Sequence, residues 1–244
     1  MPDGLWPDVQ QQMGWLQQQA GKRFGGDENP LLVSVRSGSK FSMPGMMDTV
    51  LNLGLNDVTA AALAKLTGDE RFALDAFRRF IQLYSKVVLR IDAERFESLL
   101  DAAKHDQSVA SDSQLSADSL RRLIAAYRDV VRAETGSSFP TDPWEQLRAA
   151  IAAVFASWSN RRAVEYRAHE RIPDDLGTAV SIVSMVFGNL GDDSGTGVVF
   201  SRSPATGEAA LYGEFLPNAQ GEDVVAGIRT PLKISQLRDQ APEL

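Results

Sequence analysis

The sequence predicts an α+β protein in which two sheet-bearing parts flank a helical block. Three observations predict it. Apolar, β-branched runs bounded by breakers stand near each end of the chain. Apolar residues at helical spacing fill the middle. Composition then turns at Ile172-Pro173-Asp174-Asp175, after which strand signals replace helical ones. The boundaries fall at 1–56 for a short α/β piece, 57–171 for the helical block and 172–244 for a β-rich piece. The 244 residues suffice to bury a sizeable core.

In order, Leu5, Val9, Met13 and Leu16 recur at helical spacing and predict a short amphipathic helix over 5–20. Gly25-Gly26-Asp27-Glu28-Asn29-Pro30 reads as a loop. Leu31 to Ser37 reads as a strand that runs into a loop with three methionines, residues 38–49. Apolar residues at 73, 76, 77, 80, 81, 84, 87, 88 and 91 predict one helix from Glu70 to Ile91. Lys104 to Ser119 is a polar stretch, with Asp118 as the expected N-cap of a next helix bearing Leu120, Leu123, Ile124, Tyr127 and Val131. Past Pro140 and Pro143, Trp144 to Glu170 reads as one long helix burying Leu147, Ile151, Val154, Phe155 and Trp158. Ala179–Phe187, Val198–Phe200 and Leu211–Leu216 then read as strands of an antiparallel meander, separated by turns at 191–197 and 203–207. No internal repeat is evident.

Composition narrows the function classes. A net charge of −7 argues against nonspecific binding to nucleic acid or to anionic membrane, and leaves room for a small anionic ligand gripped locally. There are no cysteines, so disulfides, thiolate metal sites and cysteine nucleophiles are excluded. The two histidines, His105 and His169, stand far apart and read as structural; no metal-binding residues are expected. No run of about 18 apolar residues spans a membrane, and Met1-Pro2-Asp3-Gly4-Leu5-Trp6 has no signal-peptide pattern. A cytoplasmic protein is expected.

Four segments have residue types suited to chemistry. Val33-Ser34-Val35-Arg36-Ser37-Gly38 ends a strand on a guanidinium, which can fork onto phosphate or pair with a carboxylate. Met43-Pro44-Gly45-Met46-Met47-Asp48-Thr49 is either an apolar cover over a ligand, with Gly45 admitting close backbone approach, or a loop tucked into the core. Glycines at 188, 191, 195 and 197 expose amides that cradle phosphate or simply turn a hairpin. Glu214 and Glu222 stand among small residues, as ligand-binding carboxylates or as parts of solvated loops. Ser37-Gly38-Ser39-Lys40 lacks the strand-turn-helix setting of a nucleophile elbow.

Together these phrases resemble one family. Leu-Leu-Val-Ser-Val-Arg-Ser-Gly at 31–38, Ser-Met-Pro-Gly-Met-Met-Asp-Thr-Val-Leu-Asn-Leu-Gly at 42–54, Met-Val-Phe-Gly-Asn at 185–189, Gly-Asp-Asp-Ser-Gly-Thr-Gly-Val at 191–198 and Asn-Ala-Gln-Gly-Glu-Asp-Val-Val-Ala-Gly-Ile-Arg-Thr-Pro at 218–231 resemble the N-terminal nucleotide-binding domain of pyruvate phosphate dikinases. The likeness spans essentially the whole chain. A phosphoenolpyruvate synthase is a weaker match, lacking the Met-Pro-Gly-Met-Met run.

The resemblance implies ATP-grasp-like sheet pieces, 1–56 and 172–244, flanking a helical insertion over 57–171. It implies ATP and inorganic phosphate as substrates and magnesium as cofactor. The transferred group passes through a phosphohistidine on another domain to pyruvate, giving phosphoenolpyruvate, AMP and pyrophosphate. The expected partners are the phosphohistidine and pyruvate-binding domains, with a homodimer as the expected assembly of the intact enzyme.

By matching motif, Arg36 contacts the nucleotide phosphates and is the expected catalytic residue. Gly45 and Met47 belong to the loop over the phosphates, and Arg79 reaches toward them from the insertion. Met185 and Val186 line the adenine slot. Thr196 and Gly197 lie at the glycine-rich phosphate loop, and Glu214 and Glu222 serve the nucleotide and ribose side. Ala205 departs from the serine usual there.

The family's phosphate-neutralising lysine is expected before Met1 and its magnesium carboxylates beyond Leu244. Without them, about 10³-fold or more in rate is expected to be lost, so these residues alone are expected to be inactive. A non-catalytic nucleotide-binding module and a purely structural helical surface are the alternatives.

Overall fold

Breakers and caps in the sequence fix where each element begins. The computed structural model describes residues 2, 4–191, 193–225 and 230–240, the backbone alone at 222, 225 and 240. It comprises two units, Met1–Met185 and Val186–Leu244.

The first unit opens with α1 (Leu5–Ala20), ended by Gly21 in the left-handed region at φ 61°. Two short strands, β1 (Arg23–Phe24) and β2 (Pro30–Leu31), pair in parallel. Then come β3 (Val33–Gly38) and β4 (Thr49–Leu53). The helical block holds α2 (Asp57–Thr67), α3 (Glu70–Val87), α4 (Ala93–Asp106), α5 (Ala117–Thr135), α6 (Pro143–Ala156) and α7 (Arg161–Glu170). The unit closes with β5 (Ala179–Ser184). Strand β3 is central, antiparallel to both β4 and β5, with Val33 opposite Ser184 and Gly38 opposite Ala179. The helices α2–α7 therefore stand, in chain order, between strands of one sheet.

The core follows the helical periodicity. Phe72, Phe77, Phe80, Ile81 and Tyr84 of α3 are buried, as are Leu120, Leu123, Tyr127 and Val131 of α5. Phe80, Tyr84 and Phe139 meet edge to face with centroids 5.4–5.7 Å apart. The Tyr127 hydroxyl donates to the Phe96 carbonyl at 3.0 Å, and burial pushes its pKa up to about 12. The join between β4 and α2 is held by a buried amide. Gln146 accepts from the Gly54 N–H at 3.2 Å and donates to the carbonyls of Leu55 and Pro140 at 3.0 and 2.8 Å.

The structure departs from the sequence expectations at several elements. Trp144–Glu170 is two helices, because the buried Ser157 donates to Val154 and accepts from Asp48, and the Trp158 indole is drawn to the Asp174 carbonyl. Phe155 is only half-buried. The cap of α5 is Ser116, accepting from the Ser119 N–H, and Asp118 lies inside its first turn. Helix α3 stops at Val87 rather than Ile91, since Arg90 takes a positive φ of 60°. The expected strand 31–37 is interrupted at Leu32, and β5 ends at Ser184 rather than Phe187.

Strand β5 does not join a C-terminal meander but pairs with β3. Helices α2 and α4 and strand β4 were not expected. The Asn56–Thr59 capping box that starts α2, with reciprocal bonds of 2.9 and 2.8 Å, was in plain view in the sequence.

The second unit holds β6 (Gly195–Phe200), β7 (Tyr212–Pro217), α8 (Gly221–Val225), β8 (Leu232–Lys233) and α9 (Leu237–Gln240). The order β6-β7-β8 is an antiparallel meander. Its first strand begins at Gly195, so Gly195, Thr196 and Gly197 belong to a strand and not to the expected turn. A Cβ on Gly213 would come within 2.2 Å of the Val198 carbonyl oxygen, which requires glycine there.

Candidate functional site

The passage of β3 from buried to exposed decides what Arg36 can do. Val33, Ser34 and Val35 are buried, and Arg36 beyond them is exposed. In register it lies between Thr49 on β4 and Ser181 on β5. Among the described residues its guanidinium has no ion pair and no hydrogen bond, so no carboxylate neutralises it. An exposed, unpaired guanidinium on a rigid strand is a ready partner for an anion.

The loop that follows has a buried side and an open one. Met43 is buried against Trp158 and Ala163, and Met46, Met47, Tyr166 and Ile172 pack onto that cluster. The Met46 N–H donates to the Met43 carbonyl at 3.1 Å, turning the chain at Gly45, whose φ is +73°. Gly45 is exposed, with no atom within 4 Å of where a Cβ would stand. Met43 is thus core with Met46 and Met47 packed onto it, and the backbone at Gly45 is accessible.

Asp48 closes the loop and is nearly buried, yet nothing in the sequence singled it out. Its carboxylate accepts from Asn160 Nδ2 at 3.0 Å and from Arg162, with Arg90 at 3.6 Å, while its N–H donates to Ser157 Oγ at 3.1 Å. Arg162 Nε also donates to the Met46 carbonyl at 2.9 Å. Ser157, Asn160 and Arg162 come more than 100 residues later and Arg90 comes 42 later, so no local signal reveals them.

Arg79 lies in a dense ionic cluster on α3. Its Nε bonds Asp75 and its Nη2 bonds Asp112, both at 3.1 Å. Arg78 bonds the same two carboxylates and is itself buried. Burial pushes the Asp75 carboxyl up, and Arg78 and Arg79 outweigh that, holding it below the usual carboxylate range.

Met185 follows β5 half-buried, its N–H donating to the Leu32 carbonyl at 2.8 Å. Val186 opens the second unit, 90% exposed. Thr196 pairs with Leu216, and Gly197 with Phe215, across β6 and β7. A Cβ on Gly197 would come within 2.7 Å of the Glu214 carbonyl oxygen, so close strand packing accounts for that glycine. Glu214 is exposed and pairs in register with Lys233. The Glu222 side chain lies outside the described residues. Ala205 sits in a turn closed by the Gly207 N–H on the Ser203 carbonyl at 2.8 Å.

Among the described residues no three carboxylates or imidazoles converge as a metal site, and no helix is long and apolar enough to cross a membrane. The described residues do not make a magnesium site by themselves. For a phosphate the fit is better, because Arg36 offers an uncompensated charge and Gly45 an open backbone.

Comparison with known proteins bears on which anion this is. The family described as pyruvate phosphate dikinase, AMP/ATP-binding domain, matches residues 1–242. The chain is 54% identical over 230 residues to the pyruvate, phosphate dikinase of Clostridium symbiosum, a match covering 94% of this chain and 26% of that protein. With the Entamoeba histolytica protein of the same name the identity is 52% over 243 residues, covering 99% of this chain and 28% of the relative. With the chloroplastic pyruvate, phosphate dikinase 1 of Oryza sativa subsp. japonica it is 51% over 243 residues, covering 100% and 26%. The chain spans about a quarter of the length of these curated relatives.

Proposed function

Since this chain belongs to the pyruvate phosphate dikinase family, matching its AMP/ATP-binding domain, we propose that it binds ATP and that Arg36 holds the nucleotide's phosphates. The observation that carries this reading is the exposed guanidinium of Arg36, without a partner among the described residues, on the central strand that leads into the Gly45 loop. A guanidinium fork onto phosphate contributes about 1.5–3 kcal/mol in a charge-assisted bond.

In this reading Gly45 and Met47 belong to the loop that covers the phosphates. Arg79 would reach toward the phosphates from the helical insertion by giving up its bonds to Asp75 and Asp112. Met185 and Val186 contribute to an adenine slot, and Thr196, Gly197, Glu214 and Glu222 serve the phosphates and ribose. The segments 1–56 and 172–244 are pieces of an ATP-grasp fold around the insertion 57–171. Magnesium accompanies the ATP, with its ligands supplied by residues other than those described.

The proposal extends to the intact protein. The intact protein would convert ATP, pyruvate and phosphate to AMP, phosphoenolpyruvate and pyrophosphate, through a phosphohistidine on another domain, as a cytoplasmic enzyme and a homodimer. This chain's part would be to bind and orient the nucleotide.

Titration calorimetry with magnesium ATP tests the proposal. The parent chain should bind, Arg36→Ala should bind about 10- to 100-fold more weakly, and Arg36→Lys should fall between them. Equal affinity of the parent and Arg36→Ala refutes the role of Arg36.

A further inference from the structure

We infer that Asp48 and Arg162 are positioning residues, a clamp through which the elbow between α6 and α7 sets the conformation of the Gly45 loop for nucleotide binding. The inference rests on the nucleotide reading above and adds a residue pair to it.

The loop has little support of its own. Within residues 39–48 a single backbone bond, Met46 to Met43, turns the chain. Arg90, just past α3, pairs with Asp48 at 3.6 Å, and the shorter bonds that fix the rest come from the elbow. Ser157 accepts the Asp48 N–H, Asn160 donates to the Asp48 carboxylate, and Arg162 spans two sites at once, the Asp48 carboxylate and the Met46 carbonyl. Asp48 is 8% exposed, whereas the Arg162 side chain is 50% exposed. A nearly buried carboxylate is costly to leave without donors, so it holds its partners tightly.

The two anchor points, residues 46 and 48, are both on the C-terminal side of Gly45, and Met43 is buried on its other side. The exposed Pro44 and Gly45 are thereby the part of the turn left open between fixed points. Arginine suits this task because its planar fork serves two acceptors at fixed spacing, which a lysine ammonium on a flexible stem does not.

Two readouts on the full 244-residue chain test the inference: amide exchange and the Kd for magnesium ATP. Arg162→Met should speed exchange of the amides of 46–48 at least tenfold, leave β3 and α3 protected, and raise the Kd about tenfold or more. Asp48→Asn should act in the same direction, and Arg162→Lys should recover part of both effects. A loosened loop with an unchanged Kd overturns the inference, as does loosening spread through β3 and α3, which would mark a structural role alone. A parent that binds no ATP sinks the nucleotide reading and this inference with it. That result is distinct from failure of the inference alone, in which the parent binds and Arg162→Met binds equally well.

Discussion

Asp75 links one ionisation to the stability of the helical block. It is nearly buried, and Arg78 and Arg79 keep it ionised. Its folded pKa lies below the ordinary 3.8, so its contribution is fully present above that value and is lost as pH falls through the lower folded pKa. Asp75→Asn leaves the buried Arg78 with only the half-buried Asp112 as counter-charge and should lower stability at neutral pH by about 2–4 kcal/mol. The gap between variant and parent should narrow below about pH 4, as urea melts across pH 3 to 7 would show. A gap independent of pH would mean that the carboxylate is not what holds the cluster. That Arg36 stands near the end of an apolar strand was legible in the sequence, because an apolar, β-branched run that stops at a glycine is a local signal. The Asp48–Arg162 pair was not, because its members are brought together only by the tertiary fold.

At the scale of elements, turns and joins set what is possible. Gln146 alone satisfies three backbone groups where β4 passes into α2. Gln146→Met keeps the volume and removes the bonds, and should destabilise the first unit by roughly 2–4 kcal/mol with little effect on the second. Melting monitored separately in the two units would check it. In the second unit, Gly213→Ala should cost about 1–3 kcal/mol by forcing β6 and β7 apart, seen as faster amide exchange in both strands.

Helices with a strong apolar stripe, α3 and α5, were legible nearly to their ends. The break between α6 and α7 was not, since no glycine or proline marks it. There the chain turns for the hydrogen bonds that Ser157 makes with Asp48 and Trp158 makes with Asp174, outside both helices. Strand β5 was legible as a strand, but its pairing with β3 across the whole helical block was not.

At the scale of the molecule, family membership and the β3 guanidinium point the same way. The family match extends over residues 1–242, so it spans both units. The phrases that carry the resemblance also come from both units. What those phrases could not convey was which glycines serve strand packing, as at 197 and 213, and which stay open, as at 45.

We propose that Arg36 grips phosphate rather than adenine or ribose. Comparing the affinities of ATP and AMP tests it most directly, because the two nucleotides differ only in their β- and γ-phosphates. The parent should prefer ATP by about tenfold or more, and Arg36→Ala should lose most of that preference while keeping its affinity for AMP within a few fold. An unchanged ATP-to-AMP ratio in Arg36→Ala would contradict the account.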